Sequence, residues 1–198
     1  MIPLPPWTRG PLLFALAAGL LRALSLPGWL GWWLILPALV LRLEGWNRGG
    51  GWRSDLAAGL LFWALAFSFL GHVHPAMPIG AALVMGPFWV LEGWMARRLR
   101  RRIAASLAGV LAIAAMEWVR TLFPMGGIPG ASLGLGAADG FLLPLGGISG
   151  EAGVGLLILF AAGACVGWAR REGKIVLLPL GALLLLHLAA MSFTLQPT

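Results

Sequence analysis

Cysteine, lysine, acidic residues and charge in general are all scarce in this chain, and each shortage excludes something. One cysteine, Cys165, rules out an intrachain disulfide and any cysteine-based metal cluster. Only 11% of residues are charged, against about 25% in a soluble domain. Serine and threonine are sparse, and Ser132 and Ser149 have no histidine at close spacing, which argues against a serine hydrolase. Gly49–Gly51 lacks the Lys and Ser/Thr of a phosphate-binding loop. What is present is apolar. Sixty per cent of the residues are hydrophobic and the mean hydropathy is +0.89. The net charge of +7 is not a nucleic-acid signature, because its arginines cluster between apolar segments, as they do in membrane proteins.

Seven apolar segments can be read: Pro11–Leu26, Trp29–Leu43, Leu56–Gly71, Ile79–Met95, Ile103–Phe123, Val154–Trp168 and Ile175–Phe193. About 20 apolar residues cross a bilayer. The first two segments are short and broken apart by Pro27–Gly28, so they form either two spans or one re-entrant hairpin. Both return the chain to the same side. Arg9 precedes the first segment; Arg42, Arg48 and Arg53 follow the second, Arg97 to Arg102 the fourth, and Arg170, Arg171 and Lys174 the sixth. The alternate loops, Ser25–Gly28, Gly71–Pro78 and Pro124–Gly153, hold no Lys or Arg. Since positive loops stay cytoplasmic, the expectation is an all-α polytopic membrane helix bundle of about seven segments. Its N-terminus is inside, its C-terminus outside, and residues 1–198 form a single transmembrane domain. Trp29, Trp32, Trp33, Trp46, Trp52, Trp94, Trp118 and Trp168 sit near segment ends, where indole suits the interface. Pro3, Pro5 and Pro6 stand where a signal peptide would carry basic residues.

Glu117-Trp118-Val119-Arg120, followed by a glycine-rich stretch from Met125 to Gly153, is the pattern that points to a site. Charge in a membrane segment is paired, solvated or functional. Irregular backbone at that depth survives only against protein or a water-filled cavity. Glu117 and Arg120 share a helix face. They form either an anchor for a lipid headgroup or the following loop, or simply a local ion pair. Both are expected to face the bundle interior at the outer boundary, near Gly127–Gly134. The loop Gly127-Ile128-Pro129-Gly130-Ala131-Ser132-Leu133-Gly134 either lets backbone approach backbone or lipid closely or is a re-entrant or surface-lying linker between the fifth and sixth helices. Asp139 and Glu151 are the acidic groups of the outer loop. His72 and His74 have no third ligand nearby, so no metal site is expected. Glu92 is expected to bridge to Arg97 or its neighbours. Cys165 is expected to behave as a small buried hydrophobe. His187 reads as a packed helix residue.

These residues resemble the membrane domain of the apolipoprotein N-acyltransferases. In that family an acidic–aromatic/aliphatic–Arg helix end leads into Gly-Phe-Pro-Trp…Gly-Tyr-Ser-Gln…Asp-Gly. Glu117 to Arg120, Gly127, Pro129, Gly134, Asp139 and Gly140 keep that order and spacing. Leu145-Gly146-Gly147-Ile148-Ser149-Gly150 looks like the family's Leu-Gly-Gly-Val-Tyr-Gly, and Met77-Pro78 like its Met/Leu-Pro element. The likeness covers nearly the whole chain. Gly130, Leu135 and Gly136 stand where Trp, Tyr and Ser are usual, and there is no tyrosine at all. The family's Glu, Lys and Cys catalytic residues belong to a nitrilase-like domain that follows, and Cys165 is not their equivalent. The resemblance thus implies a bacterial inner-membrane protein without a catalytic residue or cofactor of its own. It would bind phospholipid or a lipidated protein at its outer face through Glu117, Arg120, Gly127, Pro129, Gly134, Asp139 and Glu151. A separate nitrilase-like subunit would complete a split N-acyltransferase. The alternatives are a non-catalytic scaffold or degenerate relative, and an intramembrane enzyme using Glu117, Arg120 and the histidines. The last lacks a base–nucleophile set.

Overall fold

The computed structural model describes residues 6–124, 131–137, 142–172 and 181. Among them are six α-helices and no strand: α1 (Pro6–Leu24), α2 (Ile35–Asn47), α3 (Trp52–Ala66), α4 (Met77–Leu99), α5 (Ala105–Arg120) and α6 (Leu143–Ala169). The segment Ile175–Phe193 and His187 lie outside the described residues. Neighbour contacts run α1–α2–α6–α5–α4–α3 and back to α1, so the helices close into a ring. Two stretches, Met77–Leu99 and Ser149–Ala169, are long and apolar enough to cross a membrane. The apolar part of α1, Gly10–Leu24, is shorter. Gly150, at φ 67° and ψ 177°, breaks α6 just after its start.

Small residues set the helix spacing. A Cβ on Gly59 of α3 would lie 2.7 Å from the Gly86 carbonyl oxygen of α4, and one on Gly19 of α1 would lie 2.7 Å from that of Ala58. Glycine lets backbones approach where no aqueous hydrophobic force drives helices together. Around these crossings the core falls into two clusters. Phe62, Trp63, Met85 and Trp89 fill the α1–α3–α4 side, while Leu39, Leu43, Val110, Ile113 and Leu159 fill the α2–α5–α6 side.

The distribution of charge is the reverse of a soluble protein's. Arg22, Arg42, Asp55, Glu92 and Arg120 are buried, whereas such residues are almost never buried unless paired. Leu13, Leu30, Ile79, Leu83, Val84, Leu91 and Leu122 face outward. The described basic loops gather at one end of the ring. Arg97 donates to the Gly50 carbonyl and to Asp55, and Arg100 donates to the Trp46 carbonyl. Arg170 bridges to Glu44. Glu172 accepts both the backbone N–H and the hydroxyl of Ser106 at the start of α5, satisfying a helix N-terminus that has no side-chain cap of its own.

Two readings of individual residues need correction. Trp46 is buried rather than interfacial, because its indole N–H donates to the Asp55 carboxylate at 2.7 Å. Cys165 is exposed rather than buried, on the outward side of α6 although Ala162, Ala164 and Val166 around it are buried.

Candidate functional site

α5 carries Glu117 and Arg120 into the ring one turn apart, and the expected ion pair forms: Arg120 Nη2 lies 2.7 Å from Glu117 Oε2. A third member comes from α1. Arg22 Nη2 donates to Glu117 Oε1 at 2.7 Å. The backbone N–H of Leu133 donates to Oε2 at 3.2 Å. Glu117 therefore receives two guanidinium groups and one loop amide. Both arginine side chains are only 3% exposed and Glu117 is 17% exposed. Two guanidinium groups against one carboxylate leave one positive charge in excess. Aromatic faces absorb part of it. The Arg22 guanidinium lies 4.9 Å from the Phe62 ring centre and 5.7 Å from that of Trp89, and Arg120 lies 5.0 Å from that of Trp63. Among the described residues, Nη1 of each arginine finds no hydrogen-bond partner.

Beside this cluster, between α5, α6 and the 131–137 segment, is a cavity of about 370 Å³, within the usual range of small-molecule sites. Glu117, Arg120, Thr121, Ser132 and Glu151 supply its polar lining; Ala114, Trp118, Leu133, Ala152, Leu156 and Leu159 supply apolar walls. Glycine closes its floor. A Cβ on Gly134 would collide with the Glu151 carbonyl oxygen, and one on Gly155 would lie 3.1 Å from the Gly134 nitrogen. Here the close approach expected of the glycine-rich loop is realised.

Of the residues the sequence singles out, Glu117, Arg120, Gly134 and Glu151 thus meet around one cavity. Gly127, Pro129 and Asp139 lie outside the described residues. Gly136, where the family usually has serine, packs against α2: a Cβ there would lie 2.9 Å from Ile35 Cδ1. His72 and His74 are exposed, and His74 Nδ1 accepts the Ala76 N–H at 3.2 Å. No three metal-ligating side chains come together among the described residues.

Glu92 departs from expectation. It bridges to Arg42 of α2 at 2.7 Å, while Arg97 bridges to Asp55 of α3 at 2.8 Å. Five residues along a helix turn the side chain about 140° away, so Glu92 and Arg97 of α4 meet different neighbours. Arg42 also donates to the Trp89 carbonyl at 3.3 Å and lies 3.5 Å from the Trp89 ring centre.

Arg22, which sequence reasoning did not select, is central to the cluster. The available signal was its position: an arginine inside an apolar segment, with Arg9 as its nearest charged neighbour in sequence and more than three turns away, must find a partner from another helix.

A ring of helices with apolar residues outside, ion pairs inside and an amphipathic cavity at one end defines the class as a membrane-protein helix bundle. The match to the apolipoprotein N-acyltransferase N-terminal domain extends over residues 18–164. The chain belongs to that family, and is a membrane protein of it.

Proposed function

We propose that the cavity receives phospholipid, or the lipidated end of a protein, at the outer face of a bacterial inner membrane. In this reading the chain spans that membrane about seven times, with its basic loops inside, and supplies the membrane half of an N-acyl transfer. The observation that carries it is the convergence of Glu117, Arg120, Gly134 and Glu151 on one cavity whose other walls are apolar. Such a cavity suits an amphiphile, with its polar head against Arg120 and Glu151 and its tail along Leu156 and Leu159. The glycine-lined contact between the loop and α6 closes one side, and Trp118 stands at the wall. Acyl transfer needs a nucleophile and an acid–base partner. Cys165 lies in α6 toward the basic end, away from this cavity, and in this reading the nucleophile and its acid–base partner belong to a separate nitrilase-like subunit.

Reconstituted protein titrated with bromine-labelled phospholipid tests the site. Quenching of tryptophan fluorescence that saturates in the native chain and weakens at least fivefold in Arg120→Gln supports it. Equal quenching in both discards it. Co-purification with a nitrilase-like protein from a host expressing both tests the partner.

The second reading, a non-catalytic scaffold or degenerate relative, is favoured by one observation: Gly136 packs directly against the Ile35 side chain, which a residue with a Cβ would have to displace. Lipoprotein analysis of a deletion strain separates the two. Altered N-acylation favours the first reading; altered membrane-protein assembly with normal lipoproteins favours the second.

A further inference from the structure

We propose that Arg22 of α1 is a positioning residue. It fixes the Glu117 carboxylate, and through it the segment 131–137 that walls the cavity. The geometry requires two steps. Arg22 Nη2 holds Glu117 Oε1 at 2.7 Å, and Glu117 Oε2 holds the Leu133 N–H at 3.2 Å. Arg22 itself cannot drift. It is 3% exposed, and its guanidinium is set against Phe62 of α3 and Trp89 of α4. Glu117 is therefore the joint between a rigid three-helix corner and a loop. Arg120 cannot replace Arg22 in this role, because it grips Oε2, the oxygen that also takes Leu133. Without Arg22 the Oε1 side of the carboxylate loses its only described donor, and the carboxylate is free to turn about the Arg120 contact. Leu133 then loses its acceptor, and Gly134, packed on the Glu151 backbone, loses its neighbour's anchor. The proposal extends the reading of this cavity as a lipid site, but its first measurement needs no ligand.

Amide hydrogen exchange of the full chain in nanodiscs reads the joint directly. In Arg22→Met the Leu133 amide should exchange about tenfold faster or more, the size expected for a hydrogen bond to a charged acceptor. Amides of α3 and α4 should change by less than twofold. Arg22→Lys should restore part of the protection. In a Glu117→Gln background, adding Arg22→Met should raise Leu133 exchange by no more than about twofold further. Unchanged Leu133 exchange in Arg22→Met overturns the proposal. So does an equally large increase in the Glu117→Gln background, since Arg22 would then act independently of the carboxylate. Should Arg22→Met fail to fold, Glu117→Gln alone supplies the test: Leu133 exchange that stays at the native rate overturns the proposal. Titration with phospholipid is then read separately. Faster exchange without lipid binding keeps the role of Arg22 and discards the lipid site, whereas lipid binding with unchanged exchange discards the role of Arg22.

Discussion

Arg42 and Glu92 face each other with 2% and 1% of their side chains exposed, the most deeply buried ion pair among the described residues. Removing one member of a buried pair leaves an uncompensated charge and costs about 3–5 kcal/mol, while replacing both by apolar groups is often neutral. Arg42→Met should therefore be strongly destabilising in detergent unfolding, and Arg42→Met with Glu92→Leu should recover most of the loss. Equal stability of the single and double variants would sink this account. The Glu117 cluster behaves differently because it has three charged members. With Glu117 and Arg120 considered alone, Arg120→Leu strands the carboxylate and is expected to be worse than Glu117→Gln with Arg120→Gln. Arg22 reverses that ranking. After Arg120→Leu, Glu117 keeps the Arg22 bridge. The double change instead leaves the Arg22 guanidinium without its carboxylate in a buried site. Melting curves of the two variants decide the order.

At the scale of elements, glycine positions separate into those that hold two segments together and those that do not. Gly134→Ala places a Cβ against the Glu151 carbonyl, and backbone on both sides cannot yield cheaply. Overpacking of this kind costs about 1–3 kcal/mol, and should be accompanied by faster exchange in 131–137. Gly147→Ala in the first turns of α6 meets nothing within 4 Å, and should be neutral or stabilising by up to about 1 kcal/mol. A comparison of the two melting temperatures checks the contrast. These elements were unequally legible. Hydropathy located α3, α4 and α5 to within a few residues, because apolar runs between arginine clusters leave little alternative. It could not show that Trp29–Leu43 begins helically only at Trp32 and as a regular helix only at Ile35, since a glycine-set turn looks like apolar sequence. Nor could it show α6 starting at Leu143 ahead of the Gly150 break. Within the site, Glu117, Arg120 and Gly134 were readable from local pattern. Arg22 was not selected, because its partner lies 95 positions away and ring closure through α1 is a property of tertiary packing.

The ring as a whole is tied at its basic end by the Arg97–Asp55 and Arg170–Glu44 bridges, and Glu44 makes that end sensitive to acid. Burial pushes the Glu44 carboxyl up, but hydrogen bonds from Arg170 and Arg48 and their charges outweigh this and hold it below the usual carboxylate range. A carboxyl whose pKa is lowered by folding contributes stability that is complete above its unfolded value and is lost as pH falls through the folded one. The native chain should thus lose its advantage over Glu44→Gln as pH drops below about 4, with no difference in pH dependence between pH 6 and 8. The same gathering of charges bears on orientation. Arg97, Arg100 and Arg170 meet Glu44, Asp55 and the Gly50 and Trp46 carbonyls at one end, while the described loop 71–76 is free of Lys and Arg. If the basic end is cytoplasmic, a membrane-impermeant maleimide applied to intact spheroplasts in a Cys165→Ala background should label His72→Cys and leave Arg101→Cys untouched until the cells are opened. Both residues are exposed, so accessibility within the fold does not confound the comparison. Labelling of Arg101→Cys in sealed cells would invert the molecule and place the Glu117 cavity on the inner face, where it could not meet a lipoprotein arriving at the outer one. A reporter attached after Thr198 should respond from the same side as His72→Cys if the segment Ile175–Phe193 completes a seventh crossing, and from the side of Arg101→Cys if it does not.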